Sequence, residues 1–81
     1  MSVKIRLQLF GSHHKPFYRV VAIDARNKRN GKFLEILGNY DPLKGVINLN
    51  LDKINYWLSL GGQPTTTVKN LCKKFKKTQI S

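Results

Sequence analysis

The sequence predicts one small α+β domain, with about four mostly antiparallel strands followed by two short C-terminal helices packed on the sheet. Three observations lead there. The first half of the chain alternates apolar and polar residues or runs in β-branched and aromatic blocks. Turn residues punctuate those blocks. The last third changes to the helical spacing of apolar positions. At 81 residues there is room for a single domain, residues 1–81,. A domain of this size buries only about 60% of the surface its unfolded chain exposes. Its core is therefore thin, which disfavours a deep enclosed cleft.

In the first element Val3, Ile5, Leu7 and Leu9 alternate with Lys4, Arg6 and Gln8. Period two marks a strand with one apolar and one polar face, so Lys4 and Arg6 point the same way. Gly11 and Pro16 bracket a basic break that holds His13, His14 and Lys15,. Phe17 to Ile23, interrupted by Arg19, reads as a central strand covered on both faces,. The polar stretch DARNKRNGK follows and carries Arg26, Lys28, Arg29 and Lys32, with Asn30-Gly31 as its turn dipeptide,. Strand character resumes at Phe33 and runs to Leu37, giving a hairpin with a long basic tip. Residues 38–45 read as a connection, and Val46 to Leu51 as a fourth strand.

Asp52 is the expected N-cap of the first helix, whose apolar face is Leu51, Ile54, Trp57 and Leu58,. Gly61-Gly62 stops it. Pro64 and Thr65 open the second helix, with Thr65 or Thr66 as cap. Val68, Leu71, Cys72 and Phe75 form its stripe, and Lys69, Lys73, Lys76 and Lys77 its other side,. Residues 76–81 are expected to fray.

Charge is the strongest functional signal. Fifteen Lys and Arg against four Asp and Glu give a formal net charge of +11. Such self-repulsion calls for a polyanionic partner, and releasing counterions from phosphates drives that association. The cations cluster at Lys4 and Arg6, from His13 to Arg19, and from Arg26 to Lys32, with Phe17, Tyr18, Phe33 and Tyr40 interleaved. Phosphates attract Arg and Lys, and unstacked bases attract aromatic faces. Phe17 and Phe33 are better explained by core packing, and Tyr18 and Tyr40 by a surface hydroxyl. The lysines of the second helix read as a solvated face.

Other chemistries find little support. Asp24, Glu35, Asp41 and Asp52 are scattered, and turn or cap roles suit them,. His13-His14 and one cysteine do not make a metal site, and no G-x-x-x-x-G-K-[ST] loop occurs,. Cys72 has no intramolecular partner and reads as a small buried hydrophobe,. No apolar run approaches about 18 residues. The N-terminus resembles neither a signal nor a transit peptide, so the protein is expected to act where it is made or to be a mature form. A nucleoid-type DNA-binding module and a small metal-dependent nuclease using Asp24 or Glu35 are the alternatives. A membrane-surface role is weaker, since core packing explains the Val68 to Phe75 stripe.

The residues Lys4-Ile5-Arg6-Leu7, Gly11, Lys15-Pro16-Phe17-Tyr18-Arg19-Val20-Val21, Asp24-Ala25-Arg26 and Asn30-Gly31 resemble ribosomal protein sixteen of the bacterial small subunit. The similarity continues through Phe33, Glu35, Gly38, Tyr40, Pro42, Tyr56-Trp57-Leu58, Gly61, Gln63-Pro64-Thr65, Val68 and Leu71. It implies a compact α+β fold and a structural, non-enzymatic constituent of the small ribosomal subunit. Such a protein binds small-subunit rRNA, mainly the 5′ domain, and assists assembly. Lys4, Arg6, Lys15, Tyr18, Arg19, Arg26 and Gly31 are the implied RNA contacts, and Lys28, Arg29, Asn30 and Lys32 share the hairpin tip. His13 and His14 stand where the family usually carries Lys or Arg, and Asn30 where it often has Asp. The implied partners are rRNA and neighbouring small-subunit proteins, with no membrane, small-molecule substrate or homo-oligomer. No cofactor is expected, structural magnesium belonging to the rRNA. The family occurs in bacteria, plastids and mitochondria. The Lys, Asn and Ile bias fits a plastid copy slightly better than an AT-rich bacterium.

Overall fold

A computed structural model describes residues 2–11, 14–26 and 33–80, the last three as backbone only. In chain order the elements are β1 (Val3–Gly11), β2 (Pro16–Asp24), β3 (Glu35–Asp41), β4 (Val46–Leu49), α1 (Leu51–Ser59), β5 (Gln63–Pro64) and α2 (Thr66–Ile80). They form one five-stranded sheet in the order β4-β3-β2-β1-β5. All neighbours are antiparallel except β1 and β5. The predicted α+β class is what the structure has, with one strand more than expected. The molecule measures 36 × 32 × 18 Å, and its short dimension fits one sheet with one layer of helices.

The β1–β2 register decides what each face carries. Ile5 lies opposite Ala22 and Leu7 opposite Val20, whereas Arg6 lies opposite Val21, Gln8 opposite Arg19 and Phe10 opposite Phe17. Directly opposed residues share a face. The first set joins Val3, Leu37, Ile54 and Val68 in the buried core, with Leu49, Leu51, Trp57 and Cys72 packed around it. Ile5, Val20 and Val68 are fully buried, each worth about 1.5–3 kcal/mol relative to exposure. The helices thus cover the inner face. Val21 and Ile23 lie on the outer face yet are buried as well, as expected for a central strand. Their register neighbours Arg6 and Lys4 have long aliphatic stems suited to covering apolar surface.

Several boundaries differ from the sequence reading. β3 starts at Glu35 rather than Phe33 and runs through Asp41, so residues 38–41 are strand and not connection. Pairing on both sides overrides the turn propensity of Asn39 and Asp41. The turn itself comes later, with the Asp41 carboxylate accepting from the Leu43 and Lys44 N–H groups. The expected fourth strand ends at Leu49, and Leu51 already belongs to α1. Asn50, not Asp52, caps α1: its side-chain oxygen accepts from Lys53 N–H at 3.1 Å. Asp52 instead places its charge in the first turn, where the helix dipole favours it. Gly61 at φ +92° ends α1 as predicted, with Gly62 N–H donating to the Trp57 carbonyl. Gln63-Pro64 then pairs with Lys4-Ile5 as a parallel edge strand, a place where proline is tolerated. Thr65 caps α2 through Val68 N–H. Helical backbone continues to Ile80, across most of the segment expected to fray.

Phe17 and Phe33 do not join the core. Phe33 is exposed, and Phe17 is half-buried on the outer face, edge-on to Phe10 at 4.7 Å. Cys72 does pack against the core, and burial pushes its thiol up despite the opposing pull of Lys76.

The β2–β3 register shifts between Val20, opposite Gly38, and Val21, opposite Ile36. Leu37 is therefore an extra residue, a bulge that sends its side chain into the core. Its carbonyl accepts the N–H of Asn50 at 2.8 Å, tying the bulge to the start of α1. A Cβ on Gly38 would collide with the Asn48 carbonyl oxygen and lie 2.9 Å from Leu49 Cδ2. Gly38→Ala is therefore expected to lower stability by about 1–3 kcal/mol, read as a lower urea midpoint with an unchanged slope.

Candidate nucleic-acid interface

Alternation along β1 places Lys4 and Arg6 on the helix-free face, both exposed. Cβ atoms two residues apart on a strand are separated by about 6.6 Å, similar to the spacing of successive phosphates along one strand of a nucleic acid. Arg19 joins them from β2, opposite Gln8. Its guanidinium lies 4.0 Å from the centroid of the Phe10 ring. That cation–π contact and the Phe10–Phe17 pair hold the planar group ready beside an aromatic surface. Charges above an apolar floor such as Val21 and Ile23 are screened less than charges in open water.

At the end of β2, Arg26 is exposed and fixed at its backbone: its N–H donates to the Asp24 carboxylate at 2.9 Å. His14 and Lys15 are exposed at the opposite end of β2. Among the described residues, His14 and Lys15 therefore lie at the opposite end of the strand from Arg26. His13, Lys28, Arg29, Asn30, Gly31 and Lys32 lie outside the described residues.

Tyr18 is on the other face from Arg19. It opposes Leu9 and Tyr40 and stacks on Tyr40 at 6.2 Å and 25°. The stack occupies the inner face at the end of the sheet near Gly11. The resemblance names Tyr18 and Arg19 together as RNA contacts, but neighbours along a strand point to opposite faces.

Asn39 and Asn48 were missed. Asn39 opposes Arg19 and Asn48 opposes Asn39, so Gln8, Arg19, Asn39 and Asn48 form one row across four strands. The Asn48 amide donates to the Asn39 side-chain oxygen at 3.3 Å. The alternation of Asn48 with Ile47 and Leu49 was the available signal.

Three of the four carboxylates make local structural contacts. Asp24 and Asp41 accept backbone N–H groups. Glu35 accepts the Trp57 indole N–H at 2.8 Å and pairs with Lys53 at 3.6 Å. Asp52 lies in the first turn of α1. Among the described residues no group of three or more His, Cys, Asp or Glu could hold a metal ion.

Fold and face together define a small, strongly basic α+β domain whose sheet buries one side under helices and shows cations on the other. The chain matches the Ribosomal protein S16 family over residues 9–65. It is 64% identical, over the whole of both chains, to the small ribosomal subunit protein bS16 of Phytoplasma mali (strain AT). It is 56% identical to that of Acholeplasma laidlawii (strain PG-8A), covering 93% of this chain and 94% of that one. Identity to that of Desulforapulum autotrophicum is 54%, over 91% of this chain and 90% of that one. The chain belongs to the Ribosomal protein S16 family. These relatives are bacterial, so the plastid preference suggested by composition finds no support in them.

Glu35 links β3 to α1 under the cationic face. Glu35→Ala leaves a half-buried indole N–H without its acceptor and is expected to cost about 1–3 kcal/mol. Lys53→Ala, which removes only a surface ion pair, is expected to cost less than about 1 kcal/mol. Urea titration of both variants checks the ordering.

Proposed function

We propose that this protein is a structural constituent of the bacterial small ribosomal subunit, and that it binds the 5′ domain of small-subunit rRNA and assists its assembly. The observation that carries the reading is the placement of Lys4, Arg6 and Arg19 on the helix-free face of an S16-family domain. On this reading the rigid sheet presents those cations to one stretch of RNA backbone. Lys15 and Arg26 reach further segments from opposite ends of β2. Contacts from separated points hold RNA segments in a fixed mutual geometry, which is how a small protein stabilises a folded junction. Recognition is mainly of shape and backbone. The lysines of α2 remain on the solvent side. Neighbouring ribosomal proteins are partners, and magnesium is held by the RNA.

Lys4→Gln with Arg6→Gln is expected to leave the far-UV circular dichroism unchanged. It should weaken binding to a 5′-domain transcript and flatten the dependence of log K on log salt by about 1 per lost phosphate contact. Arg26→Ala with Arg29→Ala should do the same. An unchanged salt slope in both variants, or equally tight binding to duplex DNA by the unaltered protein, contradicts the proposal.

A further inference from the structure

The row Gln8–Arg19–Asn39–Asn48 runs across β1, β2, β3 and β4 on the helix-free face. Four strands at about 4.8 Å spacing make it roughly 14 Å long. Three of its four side chains are neutral amides. Asn48 is exposed and Asn39 half-exposed. Their mutual hydrogen bond uses one donor hydrogen of Asn48 and one lone pair of Asn39. The other amide hydrogen of Asn48, the carbonyl oxygen of Asn48 and the amide group of Asn39 remain part of the pair's hydrogen-bonding capacity. That bond sets the two amides side by side on the face.

Where the row reaches the β4 edge a shallow hollow of about 620 Å³ opens, with Asn39, Asn48 and Asn50 on one side and the apolar Leu49, Leu51 and Phe75 with Asp52 on the helical side. No Lys or Arg lines it, and Asp52 does. A phosphate would be repelled there. A ribose or a base edge, neutral and rich in donors and acceptors, would not. Within the row, next to Gln8, the Arg19 guanidinium lies over the Phe10 ring.

A strip of neutral amides on a sheet face, flanked by cations that fix the backbone, matches one RNA surface. The wide, shallow minor groove of an A-form helix displays 2′-hydroxyls and base edges between its phosphate ridges. Arg and Lys engage the ridges, and amides engage the sugar edge between them. We infer that the Asn39–Asn48 pair, with Gln8 and Arg19 in its row, docks on the minor groove of an rRNA helix and hydrogen-bonds its 2′-hydroxyls. This rests on the rRNA-binding reading and adds to it. Lys4 and Arg6 supply salt-dependent affinity, and the amide row supplies the preference for RNA over DNA.

The test is 2′-deoxynucleotide interference mapping on a 5′-domain transcript, combined with affinity measured at several salt concentrations. The proteins are the unaltered chain, Asn39→Ala with Asn48→Ala, the single variant Asn48→Ser at an exposed edge-strand position, and Lys4→Gln with Arg6→Gln. The unaltered protein should show a cluster of positions where loss of the 2′-hydroxyl weakens binding. The double amide variant should bind about ten- to a hundredfold more weakly with an unchanged salt slope, and the cluster should disappear. Asn48→Ser should weaken binding in the same direction and thin the cluster. Should the double variant lose its fold, Asn48→Ser decides the matter alone. Wild-type affinity in the amide variants, or a cluster identical in all proteins, overturns the inference while leaving the rRNA reading in place. Failure of the unaltered chain to bind the transcript overturns both.

Discussion

Everything in this molecule depends on the register of β1 against β2. A strand has a side-chain period of two, so a slip of one residue would exchange the faces of all nine positions. With Ile5 opposite Ala22 and Arg6 opposite Val21, aliphatics meet the helices and cations meet the outside. In the slipped alternative, Arg6 would enter the core and Ile5 would face water. Burying an unpaired guanidinium costs free energy, whereas burying an aliphatic side chain stabilises the fold. The basic residues therefore help to fix the fold as well as to equip its surface. The four acids, few as they are, serve the same architecture. Two close turns, one joins Trp57 and Lys53 to the sheet, and one sits at the start of α1. None lies among the outer-face cations Lys4, Arg6 and Arg19.

The thinness of the domain has a consequence for stability. One sheet and one helical layer leave ten buried hydrophobic residues among those described, and a net charge of +11 works against them. Such a chain gains stability from any polyanion that binds the native state in preference to the unfolded one. Folding and partner binding are thus coupled through charge without any conformational switch, because the cationic face is already arranged on a rigid sheet. The bulge at Leu37 serves that rigidity. It buries a large side chain and at the same time turns a carbonyl towards the cap of α1, so the strand and the helix are set by one residue.

How far the sequence speaks for the structure can be seen in particular residues. Val3 to Leu9 announced both the strand and its two faces, because period two needs no tertiary information. Thr65 and Gly61 were legible as helix cap and stop for the same local reason. Asn50 was not, since Asp52 offered an equally good local cap and only the path of the chain out of β4 chooses between them. Gly38 to Asp41 looked like a turn, and only pairing with β2 and β4 makes it a strand. β5 is two residues long and one of them is proline, so nothing in its pattern could separate it from a helix entry. Across strands the sequence was weakest. That Arg19 and Tyr18 part company follows from alternation, but that Arg19 meets Asn39 and Asn48 depends on registers and a bulge that no local pattern encodes. Family resemblance, by contrast, was carried by short motifs that survive without any knowledge of register.

The central claim is that the helix-free face meets RNA and the helical side does not. Lysine acetylation of the protein, free and assembled on 5′-domain rRNA, followed by mass spectrometry of each site, tests it most directly. The account predicts that Lys4 and Lys15 lose reactivity on assembly, while Lys53, Lys69 and Lys73 react as in the free protein. Protection of Lys69 and Lys73 with Lys4 still reactive would mean that the helices face the RNA, and would contradict it.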